Sequence, residues 1–545
     1  MINVYYVIGS GPTGTLAAHA LLAQGASVTM LDAGVECDAD TASIVEQLNR
    51  QNPEEWAPNL VEKIKGVYPI SKAGPPLRMA YGSWFPYAFQ EMATLSQKGT
   101  DCLISHAQGG LSNVWGGAMM PNRHEDFEQW PITLEDLEPH YRAVADVVKI
   151  AAGKDDLERL FPLYAPTLPA PQLSRQAQTL VDHMHRNKSV LNAHGIHFGQ
   201  SRLALRTVDN AYGIGCNGCG LCLSGCPYHA IYNTRETLHE MLRNQKFKYL
   251  KGLLVKEIHE SKLGGVQIKC HTMPDAETLT FEGSRAFIAA GIISTAKIVL
   301  QSLMASGQNR IENLKICYHP YFLFPLLMFK NTPNVTAEKI HRLTQLYIEI
   351  FDEKVARYPV HLQISTYNEI VRDKLRHDLH YFKPLTGFFI EKLISGRIIA
   401  AQGFLHSKEA SPIVVNSFVD PTTHDVGLEL RGEMSPHVKG TMKRVCRKLL
   451  TNSLPLGAMP LGFIMYTGKP GLANHSAGIF PMRKTPKDFE TDVLGQLNRL
   501  QRVHMVDASV LNDIPAPTMT YTAMANAHRI ATKVAGMDKA MGNFR

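Results

Sequence analysis

The pattern of apolar and polar positions changes several times along the chain. Short apolar strands, glycine turns and a small-residue helix fill residues 4–34, whereas residues 35–94 have no clear period and are rich in Pro, Gly and aromatics. Strands separated by polar turns return over 248–290, and residues 320–465 carry aromatic and β-branched strands with fewer glycine turns. Residues 466–545 go back to glycine turns, a strand and a closing helix. This pattern predicts an α/β protein, α+β overall, in which a discontinuous doubly wound (Rossmann-like) domain is combined with an antiparallel-sheet domain.

Finer elements follow from the same pattern. A short helix is expected at Glu236–Gln245, and a helix at Ala296–Ser302 follows a strand at Arg285–Ala290. Three stretches are expected to form successive antiparallel strands: Lys248–Glu257, Val266–His271 and Thr278–Phe281.

The first strand, Val4–Ile8, runs into a glycine turn that opens a helix, and a second strand, Ser27–Leu31, ends in an acid. Strand, G-x-G-x-x-G, helix, strand and acid form the dinucleotide-binding unit. Its glycines have separate tasks: a tight turn, close approach of the backbone to a pyrophosphate, and close packing of helix on strand. The helix N-terminus then faces the phosphates, and the acid accepts from ribose hydroxyls. The residues are Gly9, Gly11, Pro12, Thr13, Gly14 and Asp32.

Four of the nine cysteines stand in one short stretch with the spacing C-x2-C-x2-C-x3-C-P: Cys216, Cys219, Cys222 and Cys226. That spacing favours thiolate ligation of an iron–sulfur cluster, and three intervening glycines let the loop turn around it. Without a second run, the fourth cysteine closes the same cluster, or the cluster has three cysteine ligands. A 4Fe–4S cluster is favoured and 3Fe–4S is possible. A four-thiolate zinc site and unligated cysteines are the alternatives, and a disulfide framework is not expected.

Charge and hydropathy limit the classes of binding partner that are expected. The net charge of +7 is spread along 545 residues without a Lys/Arg block, which argues against nucleic acid. No signal peptide is visible, and the apolar stretches Tyr321–Phe329 and Tyr381–Leu405 are interrupted, so they predict buried strand or helix rather than a membrane span. A cytoplasmic location is expected, and peripheral association with a membrane, direct or through a partner, stays open.

Two further glycine segments suggest contact with a flat ligand. GGLSNVWGG, residues 109–117, surrounds Trp115, which either borders an aromatic cofactor or is a core residue beside a turn. Ala290–Gly291 is a second strand–glycine–helix step. The candidate contacts of the first segment are Gly110, Ser112, Asn113, Trp115, Gly116 and Gly117.

Together these motifs resemble, in order and over most of the length, the glucose–methanol–choline (GMC) family of FAD oxidoreductases. VIGSGPTG with LDAG resembles the FAD fingerprint, GGLSNVWGG the flavin-proximal motif, and FIAAGIISTAKIVLQS the family's AAG–helix motif. DFEQWPITLEDLEPHY resembles a segment of the sugar and polyol dehydrogenases, and NLKICYHPYF the Asp-His-Pro segment, with Tyr318 in place of Asp. NHSAGIFPM and VDASVLNDIPAPTMTYTAMANA resemble the two C-terminal active-site motifs. Where many members have a plain GCP turn, this chain has its cysteine stretch, as some membrane-linked sugar dehydrogenases do.

The resemblance implies FAD as cofactor and His475 as the base that takes the alcohol proton while hydride goes to the flavin. It also adds Val255, Asp507, Ala508 and Thr518 to the FAD contacts. The family's second His or Asn falls on Ala516, which cannot hold a substrate oxygen, so Asn512, Asn526 or Tyr521 would have to replace it.

The domains expected on this basis are discontinuous. The FAD-binding domain takes residues 1–34, 95–130, 228–318 and 466–545. The other units are a lid at 35–94, a helical insert at 131–227 that carries the cysteines, and a substrate-binding domain at 319–465.

The leading functional hypothesis is a dehydrogenase of an alcohol, sugar or polyol, whose electrons leave through the cluster to a one-electron acceptor protein or quinone. An alternative runs electrons inward through the cluster to reduce a double bond or ketone. A second alternative is a non-catalytic redox or structural protein.

Overall fold

The computed structural model describes residues 4–66, 79–261, 264–273, 275–305, 310–341, 343–369, 371–372, 394–423 and 425–542. Parts of the expected lid and of the apolar stretch 381–405 lie outside these residues.

The strands of the described residues, in chain order, are β1 (Val4–Ile8), β2 (Ser27–Leu31), β3 (Leu95–Lys98), β4 (Ile196–Gln200), β5 (Phe247–Leu250), β6 (Leu253–Glu260), β7 (Val266–Thr272), β8 (Thr278–Gly283), β9 (Arg285–Ile288), β10 (Leu314–Tyr318), β11 (Tyr321–Met328), β12 (Thr344–Ile350), β13 (Val360–Ser365), β14 (Ile398–Leu405), β15 (Ile413–Val419), β16 (Val426–Arg431), β17 (Ala458–Pro460), β18 (Tyr466–Thr467), β19 (Ser476–Ala477) and β20 (Val503–Met505).

The α-helices whose bounds fall within the described residues are α1 (Pro12–Ala23), α2 (Ala39–Asn49), α3 (Pro58–Lys65), α4 (Leu134–Val148), α5 (Arg175–Arg186), α6 (Lys188–Ala193), α7 (Thr234–Met241), α8 (Ile292–Ala305), α9 (Pro436–Thr451), α10 (Ser453–Leu456) and α11 (Thr520–Ala540).

A five-stranded parallel sheet, in the order β20-β9-β1-β2-β5, forms the centre of the nucleotide-binding half. The closing helix α11 packs against α1 and α4. Near its end the carboxylate of Asp538 accepts from Arg285, at 2.6 and 2.8 Å, and from the Tyr5 hydroxyl at 2.6 Å. Arg285 begins β9 and Tyr5 lies in β1, so this buried ion pair ties the C-terminal helix to the middle of the sheet.

A second half is built on an antiparallel sheet in the order β17-β11-β14-β13-β12-β4, with β18 also paired to β11. One face carries apolar residues such as Ile348 and Leu362, which pack in one cluster with residues of α5 and α9. Residues directly opposite in neighbouring strands share a face, so His361 stands beside Glu349 on one side and Phe404 on the other. This second face is polar and aromatic.

Two smaller sheets complete the fold, β19-β10-β15-β16-β3 and the antiparallel meander β6-β7-β8. The pairing of β10 with β19 joins segments that are about 160 residues apart in the chain.

The expected α/β class and the doubly wound sheet are confirmed, and several details were wrong. The stretch Lys248–Glu257 is two strands, because β5 joins the parallel sheet and only β6 enters the meander. The helix expected at Glu236–Gln245 is α7, which begins at Thr234, is capped by the side chain of Asn233 and ends at Met241. In the insert expected to be helical, β4 adds an edge strand to the antiparallel sheet. Among the described helices, none has the length and hydropathy needed to cross a membrane.

Candidate functional site

A cavity of about 270 Å³ runs along the carboxyl edge of the parallel sheet. The residues that follow four of its strands line the cavity: Asp32 after β2, Gly9 after β1, Gly291 after β9 and Asp507 after β20. Since neighbouring strands are about 4.8 Å apart, β2 and β20 are about 14 Å apart across the sheet. An elongated cavity at this edge is where open α/β sheets bind dinucleotides.

The glycine turn leaves this cavity open. Gly11 is the N-cap of α1 and has no side chain to cap it, so the first-turn N–H groups are available to a ligand. A Cβ added at Gly11 or Gly291 would meet no protein atom within 4 Å, whereas one at Gly14 would strike the carbonyl oxygen of Gly9. Gly14 therefore serves helix–strand packing, and the space beside Gly11 fits a phosphate at a helix N-terminus.

Asp32 is buried at the β2 end of the cavity. Its Oδ2 accepts from the hydroxyls of Ser10 and, at 2.9 Å, Tyr249. Burial raises the pKa of this carboxyl to about 6, against the lowering effect of the two hydroxyls. Val255 lines the same cavity. These positions fit the adenosine end of a dinucleotide.

Asp507 lies at the other end and is fully satisfied by protein donors. Its Oδ2 accepts from Gly291 N at 2.9 Å and Thr295 Oγ1 at 2.5 Å, and its Oδ1 accepts from Ser509 N at 2.9 Å. It fixes the turn that begins α8.

Lys297 on α8 is a cavity residue that the sequence reasoning missed. Its Nζ donates to the carbonyl of Met92 at 3.2 Å, and burial lowers its pKa to about 8. The neighbouring Lys256, by contrast, is paired with Asp425. The i, i+4, i+8 spacing of Ile293, Lys297 and Gln301 could have indicated that all three share the helix face that lines the cavity.

At the β20 end, two histidines meet through the pairing of β10 with β19. His319 follows β10 and His475 precedes β19, and their Nδ1 atoms are 3.1 Å apart. The Nε2 of His319 is 2.7 Å from the carbonyl oxygen of Pro515. His319 therefore lies beside Ala516, the position where the family resemblance predicts a second polar residue.

The hydrogen-bond chain assigns the protons of this pair. A carbonyl can only accept, so His319 carries its proton on Nε2 and donates it to Pro515. Burial, the largest cause, and neighbouring histidines hold the pKa of His319 well below its usual value. Neutral His319 has a bare Nδ1, which accepts the Nδ1–H of His475, and the Nε2 of His475 is then an unprotonated acceptor.

Burial, with a smaller contribution from His361, lowers the pKa of His475 to about 4. This pKa is well below the unperturbed value near 6.5 expected from sequence, so the imidazole is neutral at ordinary working pH. His475 lines the cavity. It has the protonation state and tautomer that a general base needs.

The antiparallel sheet packs against the histidine pair. The Phe404 ring lies 5.5 Å from that of His475 and 5.7 Å from that of His319. Behind it, His361 Nδ1 is 2.5 Å from the buried Glu349 carboxylate, and the amide of Gln363 lies 3.2 Å from His361 Nε2. Both nitrogens of His361 are therefore engaged by buried side chains, and none of Phe404, His361 and Gln363 lines the cavity among the described residues.

The predicted site residues fall into two groups, those that line the cavity and those that do not. Twelve of them line the cavity: Gly9, Gly11, Pro12, Thr13, Asp32, Gly110, Val255, Ala290, Gly291, His475, Asp507 and Ala508. Within the described part of the chain, Gly14, Ser112, Asn113, Trp115, Gly116, Gly117, Ala516 and Thr518 do not line it.

The position of Trp115 corrects one expectation. Its indole N–H donates to the carbonyl of Tyr232 at 2.8 Å, and the ring packs on the main core, so the core interpretation is the better one. Thr518 donates to the Ala118 carbonyl at 3.0 Å.

The proposed substitutes for Ala516 also lie elsewhere. Asn512 donates to the carbonyl of Gln129, Tyr521 donates to that of Tyr141, and Asn526 accepts from Arg529. The polar neighbour of His475 is His319, which the sequence reasoning missed.

The cysteine stretch forms an irregular loop. Gly218, Gly220 and Gly225 all have positive φ, as a loop that turns between ligands requires. Burial raises the pKa of the Cys219 thiol, and the neighbouring Cys226, Cys222 and Cys216 raise it further, so the four thiols share one region.

All four cysteines are free of disulfides. Among the described residues, no group of three His, Cys, Asp or Glu side chains converges on a single metal ion. One-ion geometry therefore gives no support to the zinc alternative. The described residues likewise give no support to a metal-binding group at these thiols, and the iron–sulfur cluster stays a prediction from their spacing.

No protein-family profile and no curated protein sequence matches the chain. Several solved structures do match the chain. Pyridoxine 4-oxidase from Mesorbium loti has a TM-score of 0.58 at 14% identity, with 97% of this chain and 98% of that chain covered. An Aspergillus oryzae RIB40 formate oxidase variant, studied for its FAD modification, has a TM-score of 0.61 at 13% identity, with 99% of each chain covered. The chain therefore has the fold of these two oxidases over essentially its whole length.

Proposed function

We propose that the protein is an FAD-dependent dehydrogenase of an alcohol, with a sugar or polyol as the favoured substrate class. The observation that carries this proposal is the His475–His319 pair at one end of a dinucleotide-shaped cavity, with a bare His475 Nε2. FAD, when bound, supplies an acceptor for the hydride of the alcohol carbon. The family resemblance and the shared fold support the same class.

His475 takes the hydroxyl proton of the substrate on Nε2. His319 holds the tautomer and shares the positive charge that develops, since its Nδ1 accepts the hydrogen bond that strengthens as His475 is protonated. Phe404 keeps water away from the two rings. The low pKa of His475 favours release of that proton to water once the oxidised product has formed.

Binding of FAD falls to residues along the sheet edge. The first turn of α1 and the ammonium of Lys297 fit the pyrophosphate, Asp32 fits the adenosine ribose, and Gly291 leaves room for the cofactor.

Cys216, Cys219, Cys222 and Cys226 would hold an iron–sulfur cluster, which supplies one-electron transfer to an acceptor protein or quinone. Support comes from their spacing, their mutual proximity and their surroundings. Cys226 packs in one apolar cluster with Ala118, whose carbonyl accepts from Thr518 beside the active-site segment. One packing contact, one hydrogen bond and the backbone of residues 515–518 thus connect Cys226 with the Pro515 carbonyl, which accepts from His319.

A second candidate is an oxidase that passes electrons to oxygen, because both structural neighbours are named as oxidases. The two candidates differ in acceptor and in the need for the cysteines. The inward-running reductase and the non-catalytic protein remain as further outcomes of the same test.

The deciding experiment is anaerobic purification followed by optical and EPR spectra and by titration with sugars and polyols. We expect flavin and iron to be present together, bleaching of the flavin by a substrate, and faster turnover with a one-electron acceptor than with oxygen. Stoichiometric peroxide without iron would favour the oxidase. Flavin that no alcohol bleaches, but that a ferredoxin-type donor reduces, would favour the reductase.

A further inference from the structure

One surface of the sheet half exposes large apolar side chains close together. Phe463 is 85% exposed and Leu454 is 76% exposed, and Leu450 and Ile464 are each about half exposed. Single exposed apolar residues are common, but four large ones on adjacent elements indicate a contact surface.

These residues are neighbours in space. Leu450 ends the exposed side of α9 and Leu454, four positions later, lies on α10. The turn Gly462–Ile464 packs on α9, because a Cβ at Gly462 would lie 3.1 Å from Cβ of Cys446, one helical turn before Leu450. Phe329, also exposed, donates its backbone N–H to Gly457 at 3.0 Å, directly after α10.

Positive charge surrounds the apolar residues. The chain has no Asp or Glu between Glu433 and Asp488, although this segment carries nine Lys and Arg residues. Lys439, Lys443 and Arg447 are exposed and follow one another at i, i+4 spacing along α9. None of the three forms a salt bridge with a described residue, in contrast to Lys448, which pairs with Asp352 at 2.5 Å.

We propose that this interfacial patch, made of Phe329, Leu450, Leu454, Phe463, Ile464, Lys439, Lys443 and Arg447, binds the surface of an anionic lipid bilayer. Apolar tips beside unpaired cations match the two layers of such a surface, acyl chains below and anionic headgroups above. The segment 434–487, which supplies every patch residue except Phe329, has no acidic side chain, and Asp352, which packs against α9, is paired with Lys448. Nucleic acid offers no apolar layer for Phe463 and Leu454.

No patch residue lines the cavity among the described residues, so loss of membrane binding and loss of the proposed reaction are distinguishable.

The test is cosedimentation of the purified full-length chain with phosphatidylcholine vesicles, with and without one third phosphatidylglycerol. We expect binding that requires the anionic lipid and weakens with salt. Each cation is expected to raise the membrane partition coefficient about fivefold, so the variant Lys439→Gln/Lys443→Gln/Arg447→Gln lowers it about a hundredfold. The variant Leu454→Ser/Phe463→Ser lowers it at least tenfold.

Matched controls change the same residue types elsewhere on the surface. They are Leu279→Ser/Val419→Ser, both exposed, and Lys154→Gln/Lys248→Gln/Arg243→Gln, and we expect each to bind as the unaltered chain does. Thermal unfolding checks that every variant is folded.

Three outcomes would overturn the proposal. They are no binding to anionic vesicles, equal losses in the control variants, and full binding by the Leu454→Ser/Phe463→Ser chain. Sedimentation velocity without lipid adds a fourth. A dimer that this variant converts to monomer would assign the patch to a second copy of the chain.

Discussion

His319 offers the sharpest test of the active-site geometry, because its proposed task is to fix the tautomer of another residue. In the variant His319→Leu, the Nδ1–H of His475 loses its acceptor inside a buried site. Leaving a buried donor unpaired costs about 1–3 kcal/mol, so the tautomer with a bare Nε2 becomes less populated by that amount. The proton then moves to Nε2, where it blocks the base.

A loss of 1.4 kcal/mol is a factor of ten in rate, so the variant is expected to reduce its flavin about 5–150 times more slowly. The assay is anaerobic stopped-flow reduction of the flavin at saturating substrate, with flavin content measured on the same sample. His319→Asn is the matched control, because its amide oxygen can accept the Nδ1–H of His475, and it is expected to recover most of the rate. His475→Ala provides the lower limit.

Flavin reduction at the unaltered rate in His319→Leu would refute the tautomer role of His319. An equally slow His319→Asn would refute it too, because both variants would then act only by disturbing the packing. Loss of flavin from both variants would assign His319 to cofactor binding instead.

Four further predictions concern other parts of the site. The base acts only when neutral, and burial lowers the pKa of His475 to about 4, so kcat/KM should stay level down to about pH 5 and fall tenfold per unit below about pH 4; an inflection near 6.5 would contradict this. Lys297→Met should weaken FAD binding about tenfold in a fluorescence titration but leave riboflavin binding unchanged, and binding to the unaltered chain should weaken above pH 8 as the ammonium loses its proton. Gly14→Val should give a chain without bound flavin, because its side chain would strike the neighbouring turn; flavin at full occupancy would refute the packing role. Cys219→Ser should remove the iron and its EPR signal while flavin is retained, whereas Cys37→Ser, outside the motif, should change neither.

Two of these predictions have conservative controls. Lys297→Arg keeps the charge and should restore FAD affinity. Gly116→Ala adds a methyl group where no protein atom lies within 4 Å, and it should retain flavin, in contrast to Gly14→Val.

Local spacing in the sequence was enough to predict the nucleotide-binding edge. The turn from Gly9 to Gly14 and the acid Asp32 lie within one strand–helix–strand unit, so their geometry depends on neighbours a few residues away. The same holds for the positive-φ glycines of the cysteine loop. These positions follow from backbone rules that act over short distances.

The contact between His319 and His475 was decided by tertiary structure alone. The sequence leaves the position of Ala516 without a polar side chain, and the polar side chain that the structure places beside it is His319, far away in sequence, rather than Asn512, Asn526 or Tyr521. No local pattern could reveal this, because the contact exists only when β10 pairs with β19.

The expectations for Trp115 and for the strand β5 differ from the structure for the same reason. A tryptophan among glycines suits either a cofactor or a core, and the carbonyl of Tyr232, 117 positions away, decided for the core. Likewise, the apolar pattern of residues 247–250 defines a strand but not its sheet, which is set by pairing with β2. The sequence by itself determined the local turns and their chemistry, and long-range strand pairing decided which side chains meet, because such pairing depends on the whole chain's packing.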